Sequence, residues 1–180
     1  MPPSSIALPR RYDRVAQALH WSMAVLIVLV FALGLLVDAF PSSWEYAVVE
    51  THKVVGSGIL VLAAARLAWR WTHRPPLPER FDPVLDKVSA IGHLGLYLLM
   101  IAVPVIGLAY AALRGQGIDF GLFSIGPVME ADRTLARPVR ELHELAAYAI
   151  IGLAGIHGLA ALWHHYVRKD GVLLRMLPAK

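Results

Sequence analysis

The sequence predicts an all-α integral membrane protein, built as a four-helix bundle with both termini in the cytoplasm. Three observations lead to this prediction: an apolar composition, four long apolar segments, and the placement of the basic residues. Hydrophobic residues make up 57% of the 180-residue chain and charged residues 17%, and the mean hydropathy is +0.57. Soluble globular domains are more polar than this. Each apolar segment has about the 20 residues that a helix needs to cross a bilayer.

The four predicted spans follow one another within a single transmembrane domain that covers residues 1–180. They extend approximately over 15–37, 53–71, 87–113 and 142–166. The first span is longer than the core of a signal peptide and lacks a small-residue cleavage site, so we interpret it as retained. A proline-rich segment ends the second span, because prolines cannot continue a helix. The basic and apolar tail after the fourth span is expected at the membrane surface.

The basic residues set the predicted orientation. Four spans place both termini and the loop between the second and third spans on one side. That side would carry 12 of the 17 lysine and arginine residues. They are Arg10, Arg11, Arg14, Arg66, Arg70, Arg74, Arg80, Lys87, Arg168, Lys169, Arg175 and Lys180. By the positive-inside rule this side is cytoplasmic. The net charge of +4 is therefore interpreted as a topology signal, and no nucleic-acid partner is expected.

Histidine is the strong metal ligand that this chain offers, because it contains no cysteine. That absence excludes thiolate metal sites and covalent haem attachment. His143 and His157 are 14 residues apart in the fourth span, which separates them by about 21 Å on faces that differ by roughly 40°. His20 falls at the depth of His157, and His52 at the depth of His143. Facing imidazoles at one depth suit six-coordinate haem b, so we predict two haem b groups, ligated by these two pairs.

Alternatives remain for the layer of His20 and His157, which we call the inner layer because it lies toward the cytoplasm; the layer of His52 and His143 is the outer layer. His93 lies at the same depth as His20 and could replace it as a ligand, or it could contact a haem propionate or a quinone. A histidine in a span can also form a hydrogen bond between helices. We predict that His93, Trp163 and His164 lie near a quinone at the inner boundary. For His164, exposure to solvent or headgroups is an equal alternative, and His73 is expected to be exposed in the proline-rich loop.

Six motifs, in order along nearly the whole chain, resemble the bacterial cytochrome b561 family of small di-haem membrane proteins. They are ALHW at 18–21, ETHK at 50–53, GHLGLYLL at 92–99, PVIGL at 104–108, LHE at 142–144 and HGLAALWHHYVRKDGVLLRMLP at 157–178. The resemblance implies a multi-pass protein of the bacterial inner membrane. It also implies haem ligands at the positions of His20, His52, His143 and His157.

The resemblance further implies an oxidoreductase that moves electrons between the periplasmic side and membrane quinone. The closest characterised form of the family is a superoxide oxidase that delivers electrons to ubiquinone, and this is the expected activity. A superoxide donor needs a positive field at the outer haem, for which Arg114, Arg137 and Arg140 are the candidates. They could equally be loop charges that neighbouring carboxylates balance.

Two other functions compete with this expectation. The protein could be a cytochrome b subunit that passes electrons from a periplasmic dehydrogenase or another redox partner to quinone. It could also be a histidine-lined transporter of a transition metal, but such a transporter needs more carboxylates inside the membrane than these spans contain. In each case the chain is expected to lie in membrane lipid.

Overall fold

A computed structural model of the chain describes residues 11–73, 75–77 and 82–178. It contains four long helices: α1 (Arg14–Leu35), α2 (Ser42–Thr72), α3 (Pro83–Leu113) and α4 (Arg133–Trp163). Each is long and apolar enough to cross a membrane. The predicted four-helix membrane bundle is confirmed. The topology predictions for four basic residues lie outside the described residues, namely Arg10, Arg74, Arg80 and Lys180.

Aspartate side chains cap the N-termini of three of the four long helices. Asp13 accepts a hydrogen bond from the backbone N–H of Ala16 at the start of α1 (2.9 Å), and Asp82 and Asp132 cap α3 and α4 in the same way. Such caps satisfy N–H groups that have no partner inside the helix. The hydrogen bonds of Asp13, including one from the indole of Trp69, lower the pKa of its carboxyl, although its slight burial acts in the opposite direction.

Two helices begin well before the spans that the hydropathy pattern predicts. The α2 helix begins at Ser42 and α4 at Arg133, because their polar first turns are helical but contribute little to hydropathy. His52 and His143 are therefore not at the openings of their helices. Each is the eleventh residue of a helix of 31 residues, which places both histidines well inside the bundle.

The helices pack in sequence order, α1 on α2, α2 on α3 and α3 on α4. The core cluster takes at least one side chain from each helix, namely Met23, Ile59, Ala63, Met100 and Ile150. Many large apolar side chains instead point outward, among them Val28, Leu98 and Leu159. Such an apolar exterior suits contact with lipid acyl chains, as expected of a multi-pass membrane protein.

A short antiparallel hairpin connects α3 and α4, formed by β1 (Ile118–Asp119) and β2 (Ser124–Ile125). The ammonium of Lys53 donates to the backbone carbonyl of Gly117 (2.7 Å). The same ammonium pairs with Glu50 (2.6 Å), whose carboxylate accepts from a backbone N–H of β1. These bonds fasten the hairpin to α2 at the end of the bundle that we call the outer end.

The chain after α4 packs on α1 at the opposite, inner end. Trp21 donates its indole N–H to the carbonyl of Met176 (2.8 Å). The buried amide of Gln17 donates to the carbonyls of Arg175 and Leu177. The tail therefore closes the inner end of the bundle, whereas its sequence pattern predicted only a position at the membrane surface.

Candidate functional site

His52 of α2 and His143 of α4 face each other at the outer end of the bundle. Their ring centroids are 6.1 Å apart and the ring planes are nearly perpendicular, at 81°. Both rings line a cavity of about 610 Å³ whose walls come from all four helices. This volume is typical of pockets that hold a small ligand or a cofactor. The structure therefore brings these two candidate ligands together beside a space of suitable size.

Each of these two rings also forms a hydrogen bond with the backbone of a neighbouring helix. Nδ1 of His52 is 3.0 Å from the carbonyl oxygen of Val30 in α1, and Nδ1 of His143 is 3.0 Å from that of Val103 in α3. A carbonyl only accepts, so Nδ1–H is the donor and Nε2 carries the free lone pair. Histidines that ligate a metal usually hold their second ring nitrogen in this way.

A glycine four residues after each carbonyl allows the ring to approach the helix. A Cβ atom on Gly34 would lie 2.9 Å from Cε1 of His52, and one on Gly107 would lie 2.8 Å from Cε1 of His143. Carbon atoms do not approach so closely without a shift. Each imidazole thus rests directly on the backbone of the adjacent helix, and we call these two Val-x-x-x-Gly segments, 30–34 and 103–107, the ring seats.

The inner layer contains three imidazoles. The ring centroids of His20 in α1 and His157 in α4 are 6.2 Å apart, with an interplanar angle of 75°. His93 of α3 is closer to His157, at 5.2 Å. Its Nδ1 donates to the carbonyl of Ser89 one turn earlier (2.7 Å), so its Nε2 is also available.

The ring separations can be tested against the geometry of iron between two trans imidazoles. A metal–nitrogen bond of about 2 Å, with the ring centroid roughly 1.1 Å beyond the nitrogen, places two trans centroids about 6.2 Å apart. The outer pair at 6.1 Å and the His20–His157 pair at 6.2 Å both fit. The His93–His157 separation of 5.2 Å is too short. The geometry therefore favours His20 over His93 as the partner of His157.

The three candidate arginines do not form one patch. Arg114 and Arg140 line the outer cavity, whereas Arg137 is not among its lining residues. Arg140 pairs with Glu144 (2.7 Å) and Arg137 with Glu141 (3.2 Å). Arg114 is exposed at the end of α3, and the ion pairs found within the described part of the chain do not include it. It is the candidate whose charge is least compensated.

Trp163 and His164 lie at the end of α4, beside the turn that follows it. Nδ1 of His164 is 2.5 Å from a carboxylate oxygen of Asp170, and the guanidinium of Arg168 lies over the Trp163 ring at 5.4 Å. Of the three predicted quinone contacts, His93 lies beside the ring of His157. Quinone contact by these residues stays a prediction.

Sequence reasoning missed the ring seats and the position of Lys53. The signal for the seats is the repetition of Val-x-x-x-Gly at 30–34 and 103–107, but small residues spaced in this way also mark ordinary helix contacts in membranes. Lys53 lines the outer cavity. Its positive charge in the sequence does not by itself indicate this position.

Facing histidine pairs at two depths of a four-helix membrane bundle are the architecture of transmembrane b-type cytochromes. The chain belongs to the prokaryotic cytochrome b561 family, whose sequence profile matches residues 11–179. It is therefore an electron carrier of a family that binds haem b.

Curated relatives align over nearly the whole chain. Cytochrome b561 homolog 2 of Escherichia coli (strain K12) is 32% identical over 94% of this chain and 92% of its own length. Probable superoxide oxidase CybB of Yersinia pestis is 34% identical over 95% of this chain and 98% of its own length. Cytochrome b562 of Cereibacter sphaeroides is 35% identical over 92% of this chain and 94% of its own length.

Proposed function

We propose that the protein binds two haem b groups and transfers electrons from superoxide on the periplasmic side to ubiquinone, with both termini in the cytoplasm. The observation that carries the proposal is the repeated separation of 6.1 and 6.2 Å in two histidine pairs on facing helices. The two α4 histidines are 14 residues apart, so the pairs are separated by about 21 Å along the helix. This arrangement supports an electron path between the two membrane surfaces.

In this proposal His20 and His157 would hold the inner haem, and His52 and His143 would hold the outer haem. Each haem, when bound, supplies a one-electron redox centre. The carbonyls of Val30 and Val103 fix the outer rings.

Ubiquinone is proposed to bind at the inner end, where a cytoplasmic proton supply is close. A quinone site needs an apolar slot with one or two polar groups. His93 offers an available Nε2 beside the inner pair, and Trp163 and His164 provide an aromatic and a polar group at the end of α4. These three residues are the proposed contacts.

The haem-to-polypeptide ratio is the direct test of the cofactor proposal. We expect two b haems per chain by pyridine haemochrome analysis of the purified protein, and rapid reduction of both by superoxide when quinone is absent. Adding a ubiquinone analogue should then reoxidise them. A ratio of one would mean that one histidine layer is structural, and the proposed electron path would fail.

The proposed superoxide reaction also predicts a dependence on salt. An anion is attracted by the charge of Arg114, an exposed residue that lines the outer cavity, and this attraction is screened as ionic strength rises. We expect Arg114→Gln to slow haem reduction by superoxide several-fold at low ionic strength and to have little effect at high ionic strength. Stopped-flow absorbance measures both rates.

Arg133→Gln is the matched control for Arg114→Gln. It removes the same charge from an exposed residue at the start of α4 that does not line the cavity. We expect its rate to stay close to that of the unmodified protein. Equal slowing by both substitutions would mean that only net charge matters, and Arg114 would lose its assigned role.

The alternative function, a cytochrome b subunit of a periplasmic dehydrogenase, has one observation in its favour. The hairpin tip at the outer end exposes apolar side chains, Leu122 almost completely at 98% and Phe123 at 61%. A protein partner could cover such a surface. Co-purification of a periplasmic redox protein would support this function, whereas fast haem reduction by superoxide in the isolated protein would count against it.

A further inference from the structure

Arg66 occupies on α2 the position that His157 occupies on α4. It follows His52 by 14 residues, just as His157 follows His143. Both helices run in the same direction, because α3 crosses back between them. On each helix, the residue 14 positions after the outer-layer histidine is therefore displaced by about 21 Å and rotated by roughly 40°, which brings it to the inner layer. Arg66 is accordingly placed at the depth of the inner histidines.

The contacts of Arg66 agree with this placement. Its guanidinium lies 5.9 Å from the centroid of the Tyr97 ring in α3. The guanidinium of Arg70, one turn later, lies at the same distance from the same ring. The charge of Arg66 is also close enough to act electrostatically on both His20 and His157. Two positive charges thus lie over one phenol ring, and the charge of Arg66 lies near the inner imidazole pair.

These two charges need an anion. Like charges beside one ring repel each other, and a charge within a membrane span is costly unless it is compensated. Across residues 11–73, 75–77 and 82–178, the ion pairs that form do not include Arg66 or Arg70. A guanidinium binds a carboxylate especially well, through two parallel hydrogen bonds. A carboxylate from outside the polypeptide would therefore balance this site.

We propose that Arg66, Arg70 and Tyr97 bind the carboxylate of a haem propionate at the inner layer. This inference rests on the proposed function, since it requires an inner haem. A phospholipid phosphate is the other available anion, but it belongs at the depth of the headgroups. Arg66 lies at the depth of His157 and acts on both inner histidines, so a group on the cofactor itself is the better match.

The midpoint potential of the inner haem tests the proposal. A nearby positive charge stabilises the reduced haem relative to the oxidised haem. Arg66→Gln should therefore lower this potential. We expect about a tenfold change in the reduction equilibrium, which is about 59 mV for a one-electron couple. Arg66→Lys, which retains the charge, should recover most of the shift. Potentiometric titration in nanodiscs of zwitterionic lipid measures this potential. The titration is carried out in the His52→Ala background, in which only the inner haem is expected to remain.

The control is Arg14→Gln, which removes an exposed charge from the same end of the bundle and should leave the potential of the inner haem unchanged. An unchanged inner-haem potential in both Arg66→Gln and Arg70→Gln, with the inner haem bound, would overturn the inference and leave the proposed function intact. A shift that requires anionic lipid would assign the site to a phosphate and also overturn it. Absence of an inner haem from the unmodified protein would instead refute the proposed function. If Arg66→Gln does not fold, a lowered inner-haem potential in Arg70→Gln supports the inference and an unchanged one overturns it.

Discussion

Replacement of His157 by alanine is expected to lower the haem content from two b haems per chain to one. His157 provides one of the two ligands of the inner haem, and its partner His20, 6.2 Å away across the bundle, cannot hold the iron in the same way alone. The outer pair is about 21 Å distant along α4 and should keep its haem. Pyridine haemochrome analysis and the reduced absorbance spectrum measure the loss. His52→Ala should remove the outer haem instead.

Two control substitutions test whether haem loss is specific to the proposed ligands. His73→Ala removes an exposed imidazole that stacks on Trp69 (3.7 Å), and both haems should remain. His93→Ala should also retain both haems, because a separation of 5.2 Å from His157 leaves no room for iron between the rings. Loss of the inner haem in His93→Ala but not in His20→Ala would reverse the pairing that we propose. Retention of two haems in His157→Ala would refute the assignment of the inner layer.

The fold and the pairing of the candidate ligands could be predicted from the sequence because both depend on simple periodicities. Hydropathy reports the length of each span, and a rise of about 1.5 Å per residue converts sequence separation into depth. His20 and His157 were matched in this way, and the structure places their ring centroids 6.2 Å apart. Helix starts were predicted less well, since the first turns of α2 and α4 are polar and hydropathy does not register them.

Contacts between a side chain and the backbone of a neighbouring helix could not be predicted in the same way. The ring seats depend on how closely α1 approaches α2 and α3 approaches α4, and a glycine in a membrane helix gives no indication of which side chain rests on it. Arg66 was interpreted as a topology charge because it lies near the end of a span. Its spacing of 14 residues from His52 was visible in the sequence, but it becomes informative only once α2 and α4 are known to be parallel and paired.

The second substitution with a large expected effect on haem binding, Gly107→Ala, lies in the ring seat at 103–107. A methyl group on Gly107 would lie 2.8 Å from Cε1 of His143, so Gly107→Ala should push the imidazole away from the Val103 carbonyl. Loss of such a supporting hydrogen bond typically costs a metal site 10–100-fold in affinity. We therefore expect the outer haem to be lost on purification or extensive dilution while the inner haem remains. Gly34→Ala should act on the same haem through His52.

Gly152→Ala and Gly58→Ala are the matched controls, because a Cβ at either position meets nothing within 4 Å. Alanine favours a helix over glycine by up to about 1 kcal/mol, so these variants should be at least as stable as the parent and keep both haems. The same gain in helix propensity applies at Gly107, so a selective loss of the outer haem there must arise from the contact with the ring. If Gly107→Ala and Gly34→Ala both retained the outer haem, the ring seats would be packing features without a role in holding the ligands.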